Sequence, residues 1–237
     1  MTYVLNNLHL AFVFGMSLST VAFAYEVLPL PLSPSGKIMP KEIAEVFRSN
    51  CRSTRIYPVI EGLPNSDAQS RLNATLKRLM SVGKKLKPAD CPEVNSSELY
   101  EYHNSYFTGS QRGPYVGLQF SISFPGGSGR TLVDCHIFNL ESGKEFSPLK
   151  EVRSDALESI QEIAKQQKIK FDSKFEPEGL VDSRHGKTYS PFCLEADGVA
   201  VLLTNDGKFG ARHIIIPENM YPKIFKEGSF LKALLQK

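Results

Sequence analysis

Tyr115-Val116-Gly117-Leu118-Gln119-Phe120-Ser121-Ile122-Ser123-Phe124 alternates without a break between apolar and small or polar residues. Successive side chains of a strand point to opposite faces. Val116, Leu118, Phe120, Ile122 and Phe124 therefore share one face, with Gly117, Gln119, Ser121 and Ser123 on the other. The stretch predicts a half-buried strand with a distinct inside and outside. Downstream, Pro125-Gly126-Gly127-Ser128-Gly129 is a turn, and Thr131–Leu140, apolar on both faces, is the next strand and a central one. Glu141-Ser142-Gly143-Lys144 makes a second tight turn. Ser154 then caps a helix carrying Leu157, Ile160 and Ala164, and residues 172–187 form a polar loop. Three short strands follow, about Thr188–Glu195, Val199–Thr204 and Arg212–Ile216, separated by the hairpin signals Asp197-Gly198 and Asn205-Asp206-Gly207. Glu218–Phe225 and Phe230–Leu235 close the chain as short helices.

Upstream the period is helical. Ser66 and Gln69 form a capping box, after which Ala68, Leu72, Leu76, Leu79 and Leu86 recur at helical spacing until Pro88. Residues 25–40 are Pro-rich (Pro29, Pro31, Pro34, Pro40) and read as an extended leader. A short amphipathic helix with Ile43, Val46 and Phe47 facing inward follows. Runs of neighbouring strands with helices between them predict an α+β fold, an antiparallel β-sheet packed with helices and a helical N-terminal portion. The expected organisation is a signal peptide over 1–24, the leader and short helix over 25–54, and one α+β unit over 55–237. That unit reads as one domain or as two subdomains of about 55–110 and 111–237 sharing a sheet.

Of 237 residues, 41% are hydrophobic and 22% charged, which is globular, and the net charge of +3 is spread along the chain. Nucleic-acid binding needs a concentrated basic stripe, and no nucleic-acid partner is expected. The tightest basic cluster, Lys84, Lys85 and Lys87, sits at a predicted helix end, where it complements the helix dipole. From Leu8 to Ala24 no residue is charged, and the apolar run ends in Ala22-Phe23-Ala24, the small-x-small pattern of signal peptidase sites. The run is shorter than the roughly 20 residues that span a bilayer. Residues 1–7 carry no Lys or Arg, which leaves a retained anchor as the alternative. The expectation is a periplasmic or secreted protein, free of the membrane after cleavage. Cys51, Cys91, Cys135 and Cys193 are even in number, widely spaced and without a CxxC, as suits disulfides outside the cytoplasm. Four cysteines allow three connectivities. Cys51–Cys91 with Cys135–Cys193 is preferred, because the first would bracket the helical half and the second would join two strands. Buried free thiols are the alternative.

No catalytic constellation stands out, and no cofactor is expected. Asp134 and His136 lie two apart on a strand and share a face, with His103 or His213 as conceivable additions, but zinc needs three or four convergent ligands. Polar residues at a sheet surface are the favoured reading there. Asp182-Ser183-Arg184-His185 holds the residue types of a hydrolase triad, yet triads assemble from distant parts of a fold and no Gly-x-Ser-x-Gly elbow is present. A surface loop is favoured. Glycosidase chemistry needs two carboxylates across a cleft, and none of the 25 acids is marked by an apolar setting. Tyr100, Tyr102 and Tyr106 share parity in a predicted strand. On an exposed face they would supply rigid amphipathic area for a protein or glycan partner; on a half-buried face they are rim hydroxyls. Gly126–Gly129 is a further candidate contact loop. Asn73-Ala74-Thr75 and Asn95-Ser96-Ser97 match the glycosylation acceptor pattern and read as coincidental.

The order of these elements resembles a known family. Tyr115-Val116-Gly117-Leu118-Gln119-Phe120, the Pro-Gly-Gly turn at 125–127, Phe138-Asn139-Leu140-Glu141-Ser142-Gly143-Lys144-Glu145, the helix after Ser154, the Asp197-Gly198 hairpin and Ile214-Ile215-Ile216-Pro217 carry the likeness. Together they resemble the domain of unknown function at the C terminus of RsiV-type anti-sigma factors, which also accompanies PdaC-type polysaccharide deacetylases. The resemblance spans about residues 55–230, and its most specific part is Asn139 to Lys144. In RsiV the domain binds lysozyme and performs no chemistry; in PdaC a separate domain is catalytic. Where family members often carry a histidine after the glycine turn, this chain has Ser128-Gly129-Arg130, so no role of that histidine carries over. The resemblance implies an exported, non-catalytic recognition domain for a protein or glycan ligand of the cell envelope, lysozyme-like proteins or cell-wall glycan. The alternatives are an envelope hydrolase acting on cell-wall glycan and a structural envelope protein.

Overall fold

The computed structural model describes residues 30–48, 50–81, 91, 100–123, 131–169, 180–182, 187–189, 191–204 and 212–236. A seven-stranded sheet runs in sequence order: β1 (Leu30–Pro31), β2 (Lys37–Arg48), β3 (Cys51–Glu61), β4 (Tyr100–Arg112), β5 (Tyr115–Ser123), β6 (Thr131–Asn139) and β7 (Lys144–Phe146). Every neighbouring pair is antiparallel except β3 and β4, which are parallel. Parallel neighbours need a crossover connection, and that crossover carries the helix α1 (Ser66–Ser81). After β7 come α2 (Ala156–Gln166), a two-stranded pair β8 (Leu180–Asp182) and β9 (Lys187–Tyr189), and a three-stranded sheet of β10 (Phe192–Glu195), β11 (Gly198–Thr204) and β12 (Arg212–Ile216). The helices α3 (Tyr221–Ile224) and α4 (Ser229–Leu235) end the described chain. The α+β class read from the sequence is the class observed.

Each face of the large sheet has its own core. Under α1, Leu72 and Leu76 pack on Ile38, Ile60, Tyr106, Val116, Leu118, Phe120 and Phe138. The second core lies between Ile137 and Tyr115 of the large sheet, the small sheet and the C-terminal helices, with Phe192, Val199, Ile214, Phe225 and Phe230 among its members. The small sheet covers the polar face of β5, where Gly117 is buried and Gln119 half-buried. Gly117 lies against Leu194 of β10, and the Gln119 amide donates to Glu195 at 2.8 Å.

Several local expectations are corrected. Residues 37–48 form a strand, not a short helix with Ile43, Val46 and Phe47 inward; Ile43 is 44% and Val46 73% exposed. β3 spans position 54 and β4 spans position 110. The predicted loop 172–187 contains β8 and the start of β9. α2 begins after Asp155 rather than Ser154. At α1 the cap is Asn65, whose Oδ1 accepts the amides of Asp67 and Ala68 at 3.1 and 3.0 Å. Gln69 instead reaches back to accept the Leu63 amide.

The Asn139–Lys144 turn is a docking point for α1. Asn139 Oδ1 accepts the amides of Glu141 and Ser142, while Asn65 and Arg71 donate to the Glu141 and Ser142 carbonyls. Gly143 has φ +67° and touches Ala68, so a side chain there meets both a strained backbone and the helix.

The Asn73 amide donates to the Ile60 carbonyl and accepts the Ile60 amide, at 2.9 and 2.8 Å, which ties α1 to β3. Asn73 therefore serves as a brace, and its amide nitrogen is engaged. Asn73→Ala is expected to lower stability by about 1–3 kcal/mol, since a part-buried backbone donor and acceptor lose their partner. Urea unfolding checks this; a change below about 0.3 kcal/mol contradicts the brace.

Candidate functional site

Sequence pairing of Asp134 with His136 is where the structure concentrates its electrostatics. β6 sends Asp134, His136 and Phe138 to the face that α1 partly covers, in register with Phe120, Leu118 and Val116 of β5. The turn at 139–144 brings β7 alongside, with Glu145 opposite Phe138. Glu145 is then diagonal to His136 and close enough to bond it. His136 Nε2 meets Asp134 Oδ2 at 2.9 Å, and its Nδ1 meets Glu145 Oε1 at 2.8 Å. Phe120 stands edge-on to the imidazole at 5.2 Å, and Phe138 stacks beside it at 6.1 Å. His136 is 9% exposed, whereas the side chains of Asp134 and Glu145 reach solvent.

Burial alone would discharge the ring. The hydrogen bonds and charges of Asp134 and Glu145 outweigh it and raise the His136 pKa to about 9. The bond from His136 lowers the Glu145 pKa against its own burial, helped by the charges of His136 and Arg78. At neutral pH the site is an imidazolium held between two carboxylates. Neither ring nitrogen has a lone pair for a proton or a metal, and the two carboxylates grip opposite sides of the ring rather than one point in space. Among the described residues no group of three or more His, Cys, Asp or Glu side chains could hold a metal ion.

This arrangement links stability to pH. A histidine whose pKa is about 9 when folded and near 6.5 when unfolded binds its proton more tightly in the fold. The stabilisation is complete below pH 6.5 and fades as pH rises through 9. The lowered Glu145 contributes above its ordinary range and is lost in acid. The expected result is a loss on the order of 2–3 kcal/mol between pH 6 and pH 10, absent in His136→Gln. Thermal unfolding across that range measures it, and equal slopes in both proteins contradict it.

The other candidates fall differently. Tyr106 is fully buried in the α1 core, and its hydroxyl, without a hydrogen-bond partner among the described residues, has its pKa pushed up to about 12 by burial. Tyr106 is thus removed from any contact surface. Tyr100 and Tyr102 stand on β4 in register with Cys51 and Ser53; their side chains lie outside the described residues. His213 is exposed on β12, and the side chain of His103 lies outside the described residues. Of the 182–185 stretch, Asp182 belongs to β8 while 183–185 lie outside them, as do 1–29, the glycine turn at 125–129, Lys84, Lys85, Lys87 and Asn95. Cys51–Cys91 and Cys135–Cys193 are both bonded, in the preferred connectivity. Among the described residues no helix is long and apolar enough to cross a membrane. A recess of about 300 Å³ between α2 and α3 is lined by Arg153, Asp155, Glu158, Ser159, Pro222 and Lys223. It opens to solvent, and Arg153 and Asp155 pair with each other at 3.0 Å.

No family model and no curated protein matches the sequence. Among solved structures, a member of the DUF3298 family from Bacteroides fragilis aligns with a TM-score of 0.54 at 11% identity, covering 86% of this chain and 98% of that one. A DUF3298 family protein from Pseudomonas aeruginosa aligns at 0.48 and 14% identity, over 84% and 95% of the two chains. The first of these likenesses establishes a shared fold, that of an uncharacterised domain.

Proposed function

We propose that this chain is an exported recognition domain that performs no chemistry of its own. The observation that carries this reading is the state of His136. Its two ring nitrogens are both spent on carboxylates, and its pKa of about 9 is far from the neutral value that suits general acid–base work. Export is supported by the apolar run ending at Ala22-Phe23-Ala24 and by two disulfides, which suit an oxidising compartment. The Asn139–Lys144 resemblance to the RsiV-type domain makes lysozyme-like proteins the first ligand to try and cell-wall glycan the second. Tyr100 and Tyr102 remain the contact candidates, with Tyr106 withdrawn.

Calorimetric titration of the oxidised protein with lysozyme, and separately with soluble peptidoglycan fragments, tests the proposal. The expected result is saturable binding of one ligand, with the glycan recovered unchanged and affinity reduced at least roughly tenfold in Tyr100→Ala/Tyr102→Ala. Absence of binding to both overturns the ligand class. Glycan turnover that disappears in His136→Ala establishes the hydrolase instead.

A further inference from the structure

Among the described residues, the outer edge of β2 is unpaired over most of its length. β1 covers it only at Lys37 and Ile38. The Leu32 amide donates to the Gly36 carbonyl across the β1–β2 turn, and with Leu30 opposite Ile38 this fixes the parity of the strand. Ile38, Pro40, Glu42, Ala44 and Val46 direct their backbone groups outward, while the odd-numbered residues bond β3. Pro40 agrees, since its missing amide falls on the side where no ladder bond is lost. Beyond Pro40 side chains on both faces reach solvent: Lys41, Glu42 and Ala44 are exposed, Ile43 is 44% exposed and Val46 73%, while Glu45 and Phe47 are half-buried. Natural edges are blunted by shortness, cover, Pro or charge, and this edge carries Pro40, Lys41, Glu42 and Glu45. It spans 12 residues and leaves two β-branched side chains in water.

We propose that β2 is a self-complementary docking edge through which two copies of this chain pair antiparallel about Ile43, joining their seven-stranded sheets. The charge pattern selects both partner and register. With Ile43 opposite its own copy, Lys41 of each strand faces Glu45 of the other, on the same face as the Ile43 pair. Glu42 and Ala44 exchange backbone hydrogen bonds, and the Val46 amide reaches the Pro40 carbonyl. Lys41, Ile43 and Glu45 occupy the closely spaced, non-hydrogen-bonded positions where cross-strand side chains interact most strongly. Centring on Ala44 would set Glu42 against Val46, centring on Glu42 would set Lys41 against Ile43, and centring on Glu45 would set that carboxylate against its copy. Glu45 already leans on Arg55 at 3.7 Å within its own chain, and Lys41 has no ion-pair partner among the described residues. The contact is isologous and closes on two copies.

Sedimentation equilibrium of the full, oxidised chain from about 1 μM to about 1 mM tests this, using Lys41→Glu and Glu45→Lys alone and mixed. The wild type is expected to dimerise. Each variant alone sets like charges opposite and raises the dissociation constant roughly tenfold or more, and the equimolar mixture recovers pairing as a heterodimer. Far-UV circular dichroism and intact disulfides identify variants that fold; Ala44→Pro, which removes only an outward amide, replaces either one that does not and is expected to be monomeric. A wild type that stays monomeric overturns the proposal. So do a dimer indifferent to these substitutions and a mixture that fails to pair.

Discussion

Replacing the bridge between the sheets, as Cys135→Ala/Cys193→Ala, is expected to destabilise the protein by about 4 kcal/mol or more. The bond closes a loop of sequence separation 58, for which the lost restriction of the unfolded chain alone amounts to about 4 kcal/mol. The Cys51–Cys91 bond, with a separation of 40, has nearly the same entropic value. Position distinguishes them. Cys135 and Cys193 are 3% and 1% exposed and form a small core with Ala200 and Leu202 between β6 and the small sheet. Cys91 keeps partial exposure. Losing the inter-sheet bond therefore removes packing as well as a restraint. Urea unfolding of the two double variants, compared with the wild type, is the measurement. The Cys135/Cys193 pair is expected to lower the midpoint more. A smaller drop than for Cys51/Cys91 would show that the sheets hold together without it.

Gly117→Ala and Gly109→Ala are each expected to cost about 3 kcal/mol or more. The two glycines stand on adjacent strands, β5 and β4, and both lie beneath Leu194 of β10. At Gly117 an added β-carbon meets the Leu194 Cβ at 2.7 Å and its carbonyl carbon at 3.1 Å, and at either glycine it overlaps the Leu194 carbonyl oxygen. Backbone cannot step aside as a flexible side chain does, so β10 must lift, and the core beneath it opens. The two substitutions should be strongly non-additive, because once β10 has moved for one the second meets open space. Chemical denaturation of both single variants and the double checks this. Full additivity, or single costs below about 1 kcal/mol, would place β10 farther from the sheet than the structure does.

Those glycines show where sequence reading succeeds and where it stops. Alternation in 115–124 was sufficient for the strand, but Gly117 and Gln119 have the same composition whether they face water or a close-packed backbone. Only the sheet opposite decides, and it comes from residues about 75 positions later. The spacing of Ile43, Val46 and Phe47 fits a helix as well as it fits a long strand, and pairing with β3 settled it. The cap of α1 is ambiguous by one position in the sequence, because Asn65 and Ser66 are both capping residue types. The sequence left three disulfide connectivities open, and the preferred one is the one formed. The candidate site was half visible: parity placed Asp134 with His136, whereas Glu145 enters through the turn that sets Asn139 against Lys144. The turn is legible in the sequence, and its register carried one residue farther sets Glu145 opposite Phe138 and completes the cluster. The burial of Tyr106 was not legible, since strand parity reports which residues share a face and not whether that face is covered.

The measurement that bears most directly on a recognition role without chemistry is the titration of the His136 ring followed by ¹⁵N NMR in the folded protein. Two protonated ring nitrogens at pH 7 and a midpoint near pH 9 are predicted. A midpoint at or below neutrality, with one nitrogen free to accept a proton, would contradict the account and return His136 to the list of catalytic candidates.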